Sequence, residues 1–318
     1  MPSLYGIGSR RNRKNAARWA WRRNGDLNWH GGEWQDCGGV ECDVSAGGCA
    51  ARFDAGAVVA RRRRDTSLPP PFLKRVWLPE RDEQAWPDWV DWDEYPLNLP
   101  LVVNAGFDIR FDNPVTIIVG ENGSGKSTLL EAIGHACGFS DKGGAQGMGA
   151  VGDSMASGRD GGDLGHLLRT SWLPQVRNGW FFRAETFFDV ARYLDEAAMD
   201  AGRDGPNFLH VSHGQGFLAF FEERLNSQGI YFFDEPESAL SPTRQFDFLK
   251  ILRRMQREGK SQIIMATHSP ILMALPDAAL MQINRFGLQP VALEDTDHFR
   301  IYREFVMYPR ETVEAMIE

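Results

Sequence analysis

The 318-residue sequence predicts an α/β fold, a mainly parallel sheet flanked by helices, from three observations. Residues 115–119, 230–233 and 262–266 are short, almost wholly apolar runs rich in β-branched or aromatic side chains, as strands buried on both faces require. The first two lead into helical periods: Leu129, Leu130, Ile133 and Ala136 in one case, Phe246, Phe248, Leu249, Leu252 and Met255 in the other. All three runs end in residues that carry chemistry, at the edge where open α/β sheets bind ligands.

The first run, with Val115, Ile117, Ile118 and Val119, passes into G-E-N-G-S-G-K-S-T over residues 120–128. Strand, glycine loop and helix in that order form the phosphate-binding pattern G-x-x-x-x-G-K-[ST]. Gly120, Gly123 and Gly125, with Asn122 and Ser124 between them, let backbone N–H groups converge on phosphate oxygens at a helix N-terminus. In such a loop Lys126 reaches the β- and γ-phosphates, Ser127 ligates Mg²⁺, and the Thr128 hydroxyl can hold an α-phosphate. The sequence predicts a protein that binds a nucleoside triphosphate.

The composition, 42% apolar and 25% charged, suits one large or two small globular domains. No stretch approaches the roughly 18 apolar residues of a membrane span, and no apolar N-terminal segment reads as a signal peptide, so the expectation is a cytoplasmic protein that is not itself a permease. The formal charge of −8 is unevenly spread, because residues 1–64 hold 12 basic against 6 acidic residues. A basic arm of this kind could touch nucleic acid or acidic lipid. Its Gly-, Arg- and Ala-rich composition lacks any sustained period and predicts disorder. Residues 1–68 are therefore read as a basic extension and residues 69–318 as the working domain. Cys137 is expected in the core, while Cys37, Cys42 and Cys49, near His30, lack the paired C-x-x-C spacing of zinc sites.

After a stiff Leu-Pro-Pro-Pro linker at 68–71, residues 72–78 read as a first strand. A segment with Trp86, Trp89, Trp92 and Tyr95 follows; Tyr95 or Trp92 could stack on adenine, with packing the favoured role for most of these rings. Residues 107–111 alternate as a strand and turn into the phosphate loop. Gly138 caps the next helix, and the glycine-rich stretch up to about Gly165 reads as a surface loop rather than folded structure. Residues 180–184 read as a strand before a helix carrying Val190, Tyr193 and Leu194. The string L-H-V-S-H-G-Q-G at 209–216 opens a helix with Phe217, Leu218, Phe220, Phe221 and Leu225.

The run at 230–233 delivers two acids, Asp234 and Glu235. Asp234 is placed to hold Mg²⁺ and Glu235 to polarise an attacking water as general base. The run at 262–266 ends in Thr267 and His268, one helix and one strand later, which in a parallel sheet sets His268 beside the γ-phosphate. Two further strands (280–284, 288–292) and two helices (298–307, 309–317) complete the chain, with no catalytic constellation expected there.

Together these motifs resemble the ABC-class ATPases. Residues 120–128 match Walker A, residues 230–235 match Walker B with its glutamate, residues 238–241 resemble the D-loop, and His268 looks like the switch histidine. Ser212, Gly214 and Gln215 stand where the signature L-S-G-G-Q is expected, with His213 in place of its first glycine and Val211 in place of leucine. A closer resemblance is to compact bacterial ATPases of the AAA-like, ABC type, carried by F-F-R-A-E, S-H-G, D-E-P-E-x-A-L-S-P and A-T-H-S-P-I-L and covering residues 72–318. Glu185 falls near the place of the Q-loop glutamine; it or Arg183 could sense the γ-phosphate and metal, or the two could form a structural ion pair. The wider relatives include SMC-type ATPases, but only 108 residues separate Lys126 from Asp234, with no heptad run between.

The resemblance implies a P-loop NTPase fold with a small helical subdomain carrying the signature. It implies ATP and Mg²⁺ as ligands, hydrolysis through Glu235 and His268, and an ATP-dependent homodimer in which Ser212, Gly214 and Gln215 reach the partner's nucleotide. Three purposes stay open. One is a stand-alone ATPase coupled to DNA or a partner protein, in repair or phage defence. Another is the ATP-binding subunit of a transporter, against which the altered signature and the F-F-R-A-E segment speak. The last is a nucleotide-binding module with negligible turnover, against which Glu235 speaks.

Overall fold

The computed structural model describes residues 65–80, 86–103, 107–140, 142–147, 161–187, 190–192, 213–284 and 287–317, together with the backbone of 29–30 and 33–34. Residues 1–62 are a unit of their own, in which strand β1 (Trp29–His30) pairs antiparallel with β2 (Glu33–Trp34). The other residues of this unit, Cys37, Cys42 and Cys49 among them, lie outside the described residues.

Residues 63–318 make the second unit. It opens with β3 (Leu73–Trp77), the helical turn α1 (Pro100–Val103), β4 (Asp108–Arg110), β5 (Val115–Val119) and α2 (Lys126–Ala136). Next come β6 (Gly144–Ala145), α3 (Gly161–Leu167), β7 (Arg169–Trp172) and β8 (Gly179–Arg183). Then follow α4 (His213–Arg224), β9 (Gly229–Asp234), α5 (Pro242–Glu258), β10 (Ser261–Ala266) and α6 (Pro270–Met273). The chain closes with β11 (Ala279–Asn284), β12 (Gly287–Pro290), α7 (Asp297–Met307) and α8 (Pro309–Ile317).

The main sheet has the order β12-β11-β5-β10-β9-β8-β6. Its five inner strands are parallel and its two edge strands antiparallel, as expected of an α/β sheet covered on both faces. Strands β5, β9 and β10 are buried at every position. Their period of two divides the core: Tyr231 and Phe233 join Phe217, Phe220, Phe221, Phe248 and Leu252 from α4 and α5 on one face. On the other, Ile230 and Phe232 meet Leu129, Leu130 and Ile133 of α2, with Leu73, Val76 and Ile109 from the small antiparallel sheet β4-β3-β7. Cys137 is in this second core, as the sequence predicts.

Gln262, fully buried in β10, joins the two sheets. Its Oε1 accepts from the Phe72 and Leu73 amides, both at 2.8 Å, and its Nε2 donates to the Leu73 carbonyl at 3.0 Å. Gln262→Leu would leave two buried N–H groups and one carbonyl unpaired, an expected loss of about 2–4 kcal/mol. Urea denaturation reads it directly; an unchanged midpoint would mean that the two sheets are held by apolar packing alone.

Three expectations change. Part of the glycine-rich stretch is folded: β6 adds an edge to β8, and α3 packs on α2. The glycines there serve close approach, since a Cβ on Gly143 would lie 2.8 Å from the Phe181 carbonyl oxygen and one on Gly165 2.7 Å from the His135 Cβ. Residues 148–160 lie outside the described residues. Strand β7, with only half-buried and exposed positions, had no apolar run to announce it. Ahead of the proline linker, Thr66 exchanges two hydrogen bonds with the Gln228 side chain, at 2.6 and 2.9 Å, so residue 66 already contacts the domain read as starting at 69. Of the predicted helical part, α4 is present and Val190 and Ala191 are buried, while Tyr193, Leu194 and Ser212 lie outside the described residues.

Candidate functional site

The site forms where β5, β9 and β10 end side by side. In the loop after β5, Gly123 and Gly125 take φ of 75° and 92°, the left-handed region that favours glycine. A side chain on Gly125 would also press on Leu99, 3.3 Å away. The helix that follows buries Lys126, whose Nζ donates to the Glu121 carbonyl at 3.0 Å. Burial holds its pKa below the ordinary lysine value, while the nearby Glu235, Asp234 and Glu237 carboxylates pull the other way. A cleft of about 220 Å³ is lined by Asn122, Gly123, Gly125, Lys126, Ser127, Thr128, Glu235 and Tyr95. The Tyr95 hydroxyl is hydrogen-bonded to Thr128 Oγ1, and the ring is partly exposed at the rim of this cleft. Of the tryptophans upstream, Trp86 and Trp92 pack edge to face and Trp89 is exposed.

Strand β9 presents Asp234 at its last position, buried, with the Ser127 hydroxyl hydrogen-bonded to its carboxylate. Burial pushes its pKa up to about 6, against the opposing pull of Arg183 and Ser127. Its Oδ1 has no hydrogen-bond partner among the described residues. A buried carboxylate with an unused oxygen, touching a serine hydroxyl, is a hard-oxygen donor set that suits Mg²⁺. Arg183, paired in register with Asp234, reaches Glu131 Oε1 at 2.8 Å and lies 3.5 Å from Asp234 Oδ2. Glu185 stands 3.9 Å from it and is mostly exposed. Arg183 therefore bridges α2 and the end of β9 through Glu131 and Asp234 rather than through Glu185.

Glu235 adopts φ 46° and ψ 52°, one of two non-glycine residues with positive φ among those described. Its amide donates to the Ala266 carbonyl at 2.9 Å and its own carbonyl accepts from Ser238 Oγ at 2.8 Å, which fixes the turn. A non-glycine residue held in this region costs about 1–2 kcal/mol and is met most often at functional sites. The turn aims the Glu235 carboxylate at the cleft and sets Oε1 3.4 Å from His268 Nε2.

His268 follows β10, with its amide donating to the Glu237 carboxylate. Glu237 also takes a hydrogen bond from the Thr267 side chain, and burial raises its pKa. This residue ties the turn after β9 to the loop after β10, a role the sequence reading missed, although the D-E-P-E string displays the second acid. Behind it, Ser269 donates to Gln245, and Gln245 donates to the Leu240 carbonyl. On its other side, His268 Nδ1 lies 2.9 Å from Nε2 of His298, the second residue of α7. No local pattern announces that contact across 30 residues.

The structure thus brings Lys126, Ser127, Asp234, Glu235 and His268 together from three sheet positions. Helix α4 begins at His213, with Gly214 and Gln215 in its first turn as backbone only, and Ser212 lies outside the described residues.

Two segments match known family profiles. Residues 103–160, holding the glycine loop, match an AAA domain; residues 216–274, holding both acids and His268, match an AAA domain described with reference to the AbiEii toxin of a type IV toxin–antitoxin system. The chain is 29% identical over 199 residues to a Geobacter sulfurreducens protein named as an ABC transporter ATP-binding protein, covering 53% of this chain and 65% of that one. It is 26% identical over 184 residues to the zinc import ATP-binding protein ZnuC of Paracoccus denitrificans, covering 54% and 65%. It is 24% identical over 233 residues to the arabinose import ATP-binding protein AraG of Escherichia coli, covering 64% and 44%. Each alignment spans less than two thirds of the relative's own length. Similar solved structures include CbiO1 of Clostridium perfringens, part of the ABC transporter complex CbiONQ, at TM-score 0.37 and 17% identity over 66% of this chain and 91% of that one. Another is the SMC head domain of Thermotoga maritima, at TM-score 0.37 and 17% identity over 70% and 99%.

Proposed function

We propose that this chain, a P-loop protein of the ABC-ATPase type, hydrolyses ATP to ADP and phosphate as a stand-alone homodimer coupled to DNA or a partner protein. The observation that carries the reading is the meeting of Lys126, Ser127, Asp234, Glu235 and His268 at one end of the sheet. The cytoplasm is its proposed place; among the described residues no helix is long and apolar enough to cross a membrane.

Backbone amides of residues 120–125 and the Lys126 ammonium take up the phosphate charge. Ser127 and Asp234 would hold Mg²⁺, which when bound neutralises charge on the β- and γ-phosphates. Glu235 accepts a proton from water as the water oxygen bonds to the γ-phosphorus. The bond to the β–γ bridging oxygen breaks, and ADP leaves with that electron pair. His268 donates to the γ-phosphate. Tyr95, at the rim, stacks on the base.

The other side of the γ-phosphate is closed by a second copy. The start of α4 offers amide groups and a positive dipole end, to which Ser212, Gly214 and Gln215 add the signature's polar atoms. Glu235→Gln protein should run as a dimer on a sizing column with ATP and revert without it. Inactive Lys126→Ala and Ser212→Arg chains, mixed, should regain part of the activity by forming dimers with one intact composite site. A mixture that stays dead while each chain remains folded, or a mass that ATP leaves monomeric, would contradict the paired arrangement.

A second reading, the ATP-binding subunit of a transporter, draws on the names of the relatives. His213 in the signature, and Arg183 with Glu185 in place of a Q-loop glutamine, favour the stand-alone reading.

A further inference from the structure

His298 sits against the Nδ1 edge of His268, in a segment the proposed chemistry does not otherwise use. The start of its helix is fixed. Thr296, almost wholly buried, caps α7 by accepting from the Phe299 amide at 3.3 Å, and its hydroxyl donates to the Leu293 carbonyl at 2.8 Å. Arg300, one turn on, pairs with Asp295 at 2.9 Å. The two imidazoles lie with centroids 4.9 Å apart, tilted by 58°, and only the Nδ1 to Nε2 edge is within hydrogen-bond reach.

The proton count then follows from the partners. A neutral imidazole carries one N–H and one bare nitrogen. The Nε2 edge of His268 faces the Glu235 carboxylate at 3.4 Å without a formed hydrogen bond; an ionised carboxylate only accepts, so its charge favours the proton on that nitrogen. Nδ1 is then bare, and the group opposite it, His298 Nε2, must be the donor. Burial lowers the pKa of both rings and Lys126 beside them adds to the effect, against the opposite pull of Glu235 on His268 and of Asp297 and Glu121 on His298. The backbone of His268 is anchored separately, by Glu237 and by the Thr267 amide on Ile118, so His298 acts on the ring and its tautomer rather than on the loop.

We propose that His298 is a positioning residue that holds His268 in the tautomer with its proton on Nε2, aimed at Glu235 and the γ-phosphate. The kinetic consequence rests on the ATPase reading above; the tautomer does not. In full-length protein with ¹⁵N-labelled histidine, imidazole spectra should show a protonated Nε2 and a bare Nδ1 for His268. His298→Leu should turn this into a mixture of tautomers and lower kcat about tenfold, the worth of one hydrogen bond, with KM for ATP little changed. His298→Gln, which keeps an N–H donor, should restore both the single tautomer and most of kcat. A His298→Leu protein with unaltered spectra and kcat would overturn the proposal. So would a His298→Gln protein as impaired as the leucine variant. If the parental chain does not turn over ATP, the ATPase reading fails and the imidazole spectra alone decide the role of His298.

Discussion

Lys126→Ala protein is expected to bind ATP at least about 100-fold more weakly than the parental chain, a loss equal to one or two charge-assisted hydrogen bonds. The size follows from where Lys126 sits. It is buried, and it faces the carboxylates of Asp234, Glu235 and Glu237. Triphosphate entering the cleft would meet Glu235 on its lining and the nearby charges of Asp234 and Glu237, with no other lysine or arginine lining it among the described residues. Removing the ammonium thus takes away attraction and uncovers repulsion together. Calorimetric titration with ATP measures this, with circular dichroism as the control for folding. Unchanged affinity in a folded variant would place the phosphate site elsewhere.

Glu235→Gln should leave ATP binding intact and cut kcat by about 10²–10⁴-fold, the usual worth of a general base. The amide keeps the shape of the side chain, and the left-handed turn at this position is fixed by backbone bonds and by Ser238 rather than by the carboxylate. Only the capacity to accept a proton from water is removed. Stopped-flow phosphate release after rapid mixing with ATP separates the chemical step from binding. A release rate equal to the parental one would assign the base to another residue, with Glu237, half-buried and engaged with His268 and Thr267, a poor substitute.

The phosphate loop and the two strands that end beside it were legible because their chemistry is local. Glycine, lysine and serine at fixed spacing specify a backbone path, and a fully buried parallel strand writes itself as an apolar run, as β5 and β9 do. Strand β7 was not legible because its side chains are exposed or half-buried, and β6 because a two-residue edge has no period to read. The glycines around them looked like flexibility, yet Gly143 and Gly165 are where chain segments approach too closely for a side chain. The missed residues are those whose partners are distant in sequence. Glu237 meets His268 across 31 residues, Gln262 meets Leu73 across 189, and His298 meets His268 across 30. Such contacts exist only once the sheet order sets strand ends side by side. Arg183 shows the intermediate case: its position on a predicted strand was readable, but its choice of Glu131 and Asp234 as partners was not.

The central claim is that this cleft hydrolyses ATP through Lys126 and Glu235. Steady-state phosphate release from Mg-ATP, run in parallel on the parental, Lys126→Ala and Glu235→Gln chains, tests it most directly. The account predicts turnover in the parental protein that EDTA abolishes and that both substitutions remove, the first by loss of binding and the second with ATP still bound. Turnover that survives in either folded variant, or a parental chain that binds Mg-ATP and releases no phosphate, would contradict it.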